Sequence, residues 1–254
     1  MPAIITGPPS LSSSGAQKLR INRFLADCGL GSRRSSEVIV TEGRVIINGE
    51  VCTSLSTRVG PDDQVEVDGQ ILKPQYEQIN ILLYKPRGYI CSRDDPQGRS
   101  TIFELLPKHL QTQRNIHYAG RLDLDSEGLI ILTNSGNISQ KLSHPKTKIE
   151  KEYLVSVSSP FQEIHKEQML RGIEIDSGFG RAVSVEKVSK RNIAVTLEQG
   201  LNRQIRHMLM ALNYRVTRLI RVRIGDLVDT SLKPGSWRFI GKKDLNKLFN
   251  ATKD

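Results

Sequence analysis

The 254-residue sequence has only 3 cysteines, and its aromatic residues amount to 5%. Cys28, Cys52 and Cys91 are odd in number, far apart and without any Cys-x-x-Cys spacing. That pattern excludes a disulfide framework and a zinc ribbon; it reads the thiols as small buried hydrophobes in a reducing, cytoplasmic compartment. Long apolar runs are lacking as well. The longest, INILL at 79–83 and LIIL at 129–132, fall far short of the ~20 residues that a spanning helix needs, so a helical membrane protein is excluded. One stretch has no acid at all. Between 200 and 223 stand Arg203, Arg206, Arg215, Arg218, Arg221 and Arg223, with neither Asp nor Glu.

What is present is positive charge: 37 Lys and Arg against 27 Asp and Glu, a formal net charge of +10. Such an excess points to a polyanionic partner, nucleic acid first. A prior of roughly 100–200 residues per domain predicts two domains. Residues 1–17, rich in Pro, Ser and Gly with no apolar signal core, read as a disordered tail. Residues 18–75 hold eight bases and eight acids, but the bases crowd the first half. From residue 200 onward twelve bases face four acids, and the arginines alternate with apolar residues, as on a folded, phosphate-binding surface.

In the N-terminal part, Leu19, Ile21, Phe24 and Leu25 form a short helical stripe ended at Gly29. Ser32 caps a second helix with Arg33 and Arg34 in its first turn and Val38 and Ile39 on its buried side. A strand 44–47, an Asn48-Gly49 hairpin turn and a return at 50–52 follow; a further strand at 64–67 ends in Asp68-Gly69. RINRFLADCGLGSRRSSEVIVTEGRVIINGEV and DDQVEVDG, in this order, resemble the S4 RNA-binding domain. The resemblance implies RNA contacts by Arg20, Arg23, Arg33, Arg34 and Arg44.

A second unit, 79–250, opens with an apolar strand from Ile79 to Tyr84, broken by Lys85-Pro86-Arg87-Gly88 and resumed at 89–92. Its most distinctive segment is GRLDLDSEGLIILTNSG at 120–136, a polar loop bounded by glycines that runs into a buried strand. Asp123 and Asp125 could bind a hard cation, form a glycosidase pair, supply one nucleophile kept ionised by a nearby cation, or merely shape a turn. Glu127 reads as exposed. Local sequence leaves these alternatives open.

GRLDLDSEGLIILTNSG resembles the GRLDxxxxGLLLLTN signature of pseudouridine synthases of the RsuA type, which also include RluB, RluE and RluF. ILLYKPRGYICS, KEYLVSV and QGLNRQIRHMLMALNYRVTRLIRVRIGDL match further motifs of that family in order and distance. The combination leans towards the RluF branch, whose substrate is 23S rRNA. The resemblance implies an α+β chain: a small α/β S4-like domain, then a catalytic domain on a mixed, mainly antiparallel sheet.

The implied reaction is isomerisation of uridine to pseudouridine in ribosomal RNA, with no cofactor and no metal. Asp123 is then the essential aspartate, acting at uracil C6, at the sugar C1′ or by removing a ribose proton. Arg206 pairs with it, Ile205 forms an apolar wall for uracil, and Tyr153 stacks near the flipped base. Arg121 takes part in extruding the nucleotide. Arg203 and His207 share the face of Arg206 on a helix capped by Asn202, and are further RNA contacts. A transfer RNA substrate and a non-catalytic RNA-binding or ribosome-assembly factor are the rival readings; the default oligomeric state is a monomer without membrane attachment.

Overall fold

A computed structural model describes residues 18–60, 62–72, 78–113 and 115–249. The expected tail, 1–17, lies outside the described residues. The chain separates into two compact units that divide between residues 76 and 77.

The first unit contains β1 (Leu19–Arg20), α1 (Ile21–Asp27), α2 (Arg33–Thr41), β2 (Val45–Ile47), β3 (Glu50–Cys52), β4 (Arg58–Val59), β5 (Val65–Val67) and β6 (Gln70–Ile71). Leu19 is not part of the helical stripe. It pairs with Val59 across β1 and β4, because Arg20 enters the helix with an extended backbone. Ser32 caps α2 as expected, in a reciprocal box with Ser35: each backbone N–H donates to the other's hydroxyl, at 3.1 and 2.8 Å. The helix buries Ser36 and Val40, an i,i+4 pair, which turns Val38 to solvent instead of the core. The antiparallel sheet runs β3-β2-β5-β6. Asn48-Gly49 and Asp68-Gly69 join its hairpins with positive φ at both residues of each turn, the conformation that matches the strands' right-handed twist.

The second unit comprises β7 (Asn80–Lys85), α3 (Lys108–Gln111), β8 (His117–Ala119), β9 (Glu127–Thr133), α4 (Gly136–Ser143), β10 (Lys151–Val157), α5 (Glu163–Arg171), β11 (Ile173–Ile175), β12 (Gly178–Gly180), β13 (Ser184–Ser189), β14 (Asn192–Leu197), α6 (Gln204–Ala211), β15 (Val216–Ile224), β16 (Leu227–Val228), β17 (Trp237–Phe239) and α7 (Lys242–Phe249). One mixed sheet orders β13-β14-β10-β15-β9-β7-β17, with β8 also on β9 and β16 on β15. β9 and β15 are parallel; the other neighbours are antiparallel.

Both faces of the central strands are covered. Ile81, Leu83, Ile130 and Leu132 enter one core, while Leu82, Leu129 and Ile131 enter the other. Burial on both sides explains why these strands read as unbroken apolar runs. Lys85 does not break the first of them. It completes β7 with its side chain wholly buried, and the expected resumption at 89–92 is a single bridge from Ile90 to Thr101. The loop after β8 runs into the parallel contact of β9 with β15. There Gly128 has φ +110°, and a Cβ would lie 2.2 Å from the Arg221 carbonyl oxygen, so only glycine admits so close a strand.

Candidate active site

Three buried side chains hold the loop that carries Asp123. Lys85 Nζ donates to the carbonyls of Ser126 (2.6 Å), Pro86 (3.2 Å) and Leu124 (3.5 Å). Cys91 Sγ accepts from the Leu122 N–H and donates to its carbonyl. Arg221, 2% exposed, donates from Nε to the Leu129 carbonyl at 2.6 Å and from Nη1 to the Arg121 carbonyl at 3.5 Å. A polar loop folded against a core turns carbonyls inward, and these cations satisfy them. Burial draws the Lys85 ammonium below its ordinary range, opposed by Cys91 and by the carboxylates of Asp123, Asp125 and Glu127. Burial likewise raises the Cys91 thiol, against its bond to Leu122 and the charges of Lys85, Arg221 and Arg121.

Neither Lys85 nor Arg221 was among the expected site residues, since long cations are ordinarily placed outward. The two-residue period of β15 carried a signal: it sets Arg221 on the face of buried Leu219.

The two aspartates are equally exposed, at 30% of their side chains, but differently occupied. Asp125 receives a fork from Arg203, Nη1 to Oδ1 and Nη2 to Oδ2, each at 3.1 Å. Arg206 Nη2 stands 3.3 Å from Asp125 Oδ2 and donates to the Asp125 carbonyl at 3.0 Å. Asp123 accepts no hydrogen bond on its carboxylate among the described residues; Arg203 Nη1 stands 3.6 Å from its Oδ2. The expected direct pair of Arg206 with Asp123 is therefore corrected: Arg206 reaches Asp125, and Arg203 is the cation beside Asp123. Burial pushes the Asp125 carboxyl up, but Arg203's bonds and the charges of both arginines outweigh it and hold the group below the usual carboxylate range. Burial lowers Arg206 from the ordinary arginine value, yet a guanidinium remains charged.

Asn202 does not cap α6. Arg203 occupies the cap with a left-handed backbone, φ 47°, and its carbonyl accepts from the His207 N–H at 3.0 Å. Gln204, 3% exposed, fixes this entry by donating to the Arg181 carbonyl and the Gln199 side chain. Ile205 is buried in the main core and lines no open wall; that core also holds Leu122 and Tyr153. Tyr153 lies on β10, in register with Val195 and Arg221. His207 is part-buried, and Arg121 is exposed beside Leu122. Among the described residues no group of three or more His, Cys, Asp or Glu could hold a metal ion, and no helix is long and apolar enough to cross a membrane.

The acid-free stretch is less of a phosphate surface than its sequence implied. Arg218 forks Glu127 at 2.9 Å, and Glu127 is accordingly not exposed: its side chain keeps 13% of its surface, because it opens β9 against β15. Arg223 binds Glu150 and Glu152. With Arg203 and Arg206 on Asp125 and Arg221 on carbonyls, only Arg215 of the six has a guanidinium without an ion pair or hydrogen bond among the described residues. In the first unit, Arg44 is similarly committed, to Asp68 (Nε to Oδ1, 2.9 Å) and Glu42 (3.1 Å). The Asp68 bond, then Glu42, raises its guanidinium pKa further. Arg23 stands 3.7 Å from Asp27. Arg20, Arg33 and Arg34 are exposed without an ion pair among the described residues.

Comparison with known proteins accounts for both units. Residues 79–211 match the RNA pseudouridylate synthase family and residues 19–65 match the S4 domain. The chain is similar to an uncharacterized RNA pseudouridine synthase of Aquifex aeolicus (strain VF5), at 37% identity over 240 residues, covering 92% of this chain and 95% of that protein. It is similar to the ribosomal large subunit pseudouridine synthase B of Vibrio cholerae, at 36% identity over 239 residues, 90% of this chain and 74% of that one. A crystal structure of a pseudouridylate synthase superposes with a TM-score of 0.66 at 31% identity, covering 91% of this chain and 99% of the other. Synthases B are among the relatives found, whereas the motif combination leans towards the RluF branch. With an intact GRLD loop and matches along nearly its whole length, the chain belongs to the RNA pseudouridylate synthase family and joins an S4 domain to the catalytic part.

Proposed function

We propose that this chain isomerises uridine to pseudouridine at a defined position of large-subunit ribosomal RNA, with Asp123 as the catalytic group. The reaction breaks the C1′–N1 bond and forms a C1′–C5 bond. The C5 hydrogen leaves as a proton and N1 gains one, so electrons balance without an oxidant or reductant. The observation that carries the reading is the unequal state of the two aspartates. Asp125 is saturated by arginine, whereas Asp123 keeps its lone pairs available beside one guanidinium. A carboxylate in that state can attack carbon or take a proton.

The neighbouring residues take supporting roles. Arg203 and Arg206 supply the positive field at Asp123, and Tyr153 meets the uracil ring once the nucleotide leaves its stack. Extrusion costs a few kcal/mol, offset by phosphate contacts of Arg20, Arg33 and Arg34 in the S4 domain and by Arg121 beside the site. The enzyme works in the cytoplasm, as a monomer and without a cofactor.

Mapping pseudouridine in ribosomal and transfer RNA from cells with and without the gene tests the assignment. The expected result is loss of a large-subunit position that the intact gene restores and Asp123→Asn does not. Loss confined to transfer RNA overturns the target; loss of no position overturns the activity.

A further inference from the structure

We propose that Lys190, Arg191 and Arg215 form one basic strip, continuous with the site of Asp123, that holds phosphates of the RNA flanking the target uridine. The inference rests on the reading of the chain as a ribosomal RNA pseudouridine synthase. Three segments far apart in sequence meet at one end of the catalytic sheet. Arg191 immediately precedes β14, Arg215 immediately precedes β15, and Val157 ends β10, which lies between those two strands. The Val157 N–H donates to the Arg191 carbonyl at 2.9 Å, the Ser158 N–H to the Arg215 carbonyl at 2.9 Å and the Phe161 N–H to the Lys190 carbonyl at 2.8 Å. The Ser158 hydroxyl closes the junction by accepting from the Arg215 N–H at 3.2 Å. The backbones of Arg191 and Arg215 therefore flank one strand end, about 10 Å apart across it.

Charge and access single out this end. Residues 153–162, 187–197 and 199–225, the stretches that meet there, contain neither Asp nor Glu. Lys190, Arg191 and Arg215 are exposed, and their side chains have no hydrogen bond or ion pair among the described residues. Arg218 and Arg223, further along β15, are bound to glutamates instead. Glu163, at the start of α5, stands 3.7 Å from Lys166. Arg206 links this end to the GRLD loop: Nη1 donates to the Val216 carbonyl at 3.5 Å and Nη2 to the Asp125 carbonyl at 3.0 Å. The residue after Arg215 is thus one guanidinium away from the aspartate loop. Unpaired cations on a fixed backbone, with no acid competing for them, suit phosphate oxygens, and such contacts set the register of a bound strand without reading its sequence.

The test uses the purified full chain with deproteinised large-subunit ribosomal RNA as the probe. Kd is measured between about 50 and 200 mM salt, and KM from initial rates. Arg191→Gln together with Arg215→Gln is expected to reduce the slope of log affinity against log salt by about 1.4–1.8, and adding Lys190→Gln by about 0.7–0.9 more. The three changes together should weaken binding about tenfold at low salt, the sum of three exposed ion contacts, and raise KM to match. Lys146→Gln together with Lys148→Gln is the control. It removes two exposed charges ahead of the opposite end of β10 and should leave the slope at its wild-type value. A wild-type slope in the variant of Arg191 and Arg215, an equal drop in the variant of Lys146 and Lys148, or a loss carried by kcat at wild-type Kd overturns the inference. A wild-type protein that binds this RNA with the strip's salt dependence yet converts no uridine overturns the assigned function and leaves the strip standing.

Discussion

Replacing Gly128 by alanine tests the joint on which the site is built. At φ +110° an L side chain is strained by about 1–3 kcal/mol before any contact is considered. The added Cβ would also meet backbone, lying 2.2 Å from the Arg221 oxygen, 2.5 Å from its nitrogen and 2.8 Å from its carbonyl carbon. No side chain can swing aside to relieve that overlap. β15 must move away from β9, weakening the parallel pair of Ile220 with Glu127 and of Arg221 with Gly128. Strain and overlap together place the loss at about 3–5 kcal/mol. For a unit of this size each kcal/mol shifts Tm by about 2–4 °C, so the variant should melt about 6–20 °C below wild type. Circular dichroism melts of the full chain measure this. Gly136→Ala is the control: an added Cβ meets nothing within 4 Å at the start of α4, and the change should be neutral or stabilise by up to about 1 kcal/mol. A Gly128→Ala protein that melts within about 2 °C of wild type would refute the β9–β15 register and the loop placement that follows from it.

Two further outcomes concern charge. Burial, with Arg221 adding to it, lowers the Lys151 ammonium to about 8 from 10.5. The folded state thus sheds this proton first, and burial of the charge weighs against folding below pH 8 and fades as pH rises to 10.5. Lys151→Met should therefore stabilise the protein by about 1–2 kcal/mol at neutral pH, and the gain should vanish by the upper end of that window in pH-dependent melts. Replacing Arg33 and Arg34 together by alanine should weaken RNA binding and reduce the slope of log affinity against log salt by about 1.4–1.8. In that variant kcat at saturating RNA should stay unchanged; a kcat loss with an unchanged salt slope would contradict a phosphate-binding role.

Local features were the legible ones. Asn48-Gly49 and Asp68-Gly69 announce hairpins because few residue pairs accept two positive φ values, and Ser32 announces a helix because its hydroxyl can replace a missing backbone acceptor. The GRLD loop was legible from its glycines and the apolar strand behind it. The pairing of charges was not. Arg218 meets Glu127 across 91 positions, Arg203 meets Asp125 across 78, and Arg44 meets Asp68 across 24, so a count of nearby acids misjudged each. Lys85 and Arg221 escaped for a related reason: their partners are backbone carbonyls of the GRLD loop and of the strand after it, and a carbonyl's direction is not displayed in sequence. The basic excess is thus partly structural. It stitches the GRLD loop and is partly spent on Asp125, leaving a smaller set of exposed, unpaired arginines among the described residues.

Release of tritium from ribosomal RNA labelled at uridine C5 tests the central claim most directly, since forming the C1′–C5 bond expels that hydrogen to water. Wild-type enzyme should release label from large-subunit RNA. Asp123→Asn should release none while binding the same RNA with wild-type affinity. Release by Asp123→Asn at a rate near that of wild type, or no release by the wild-type enzyme, would contradict the account.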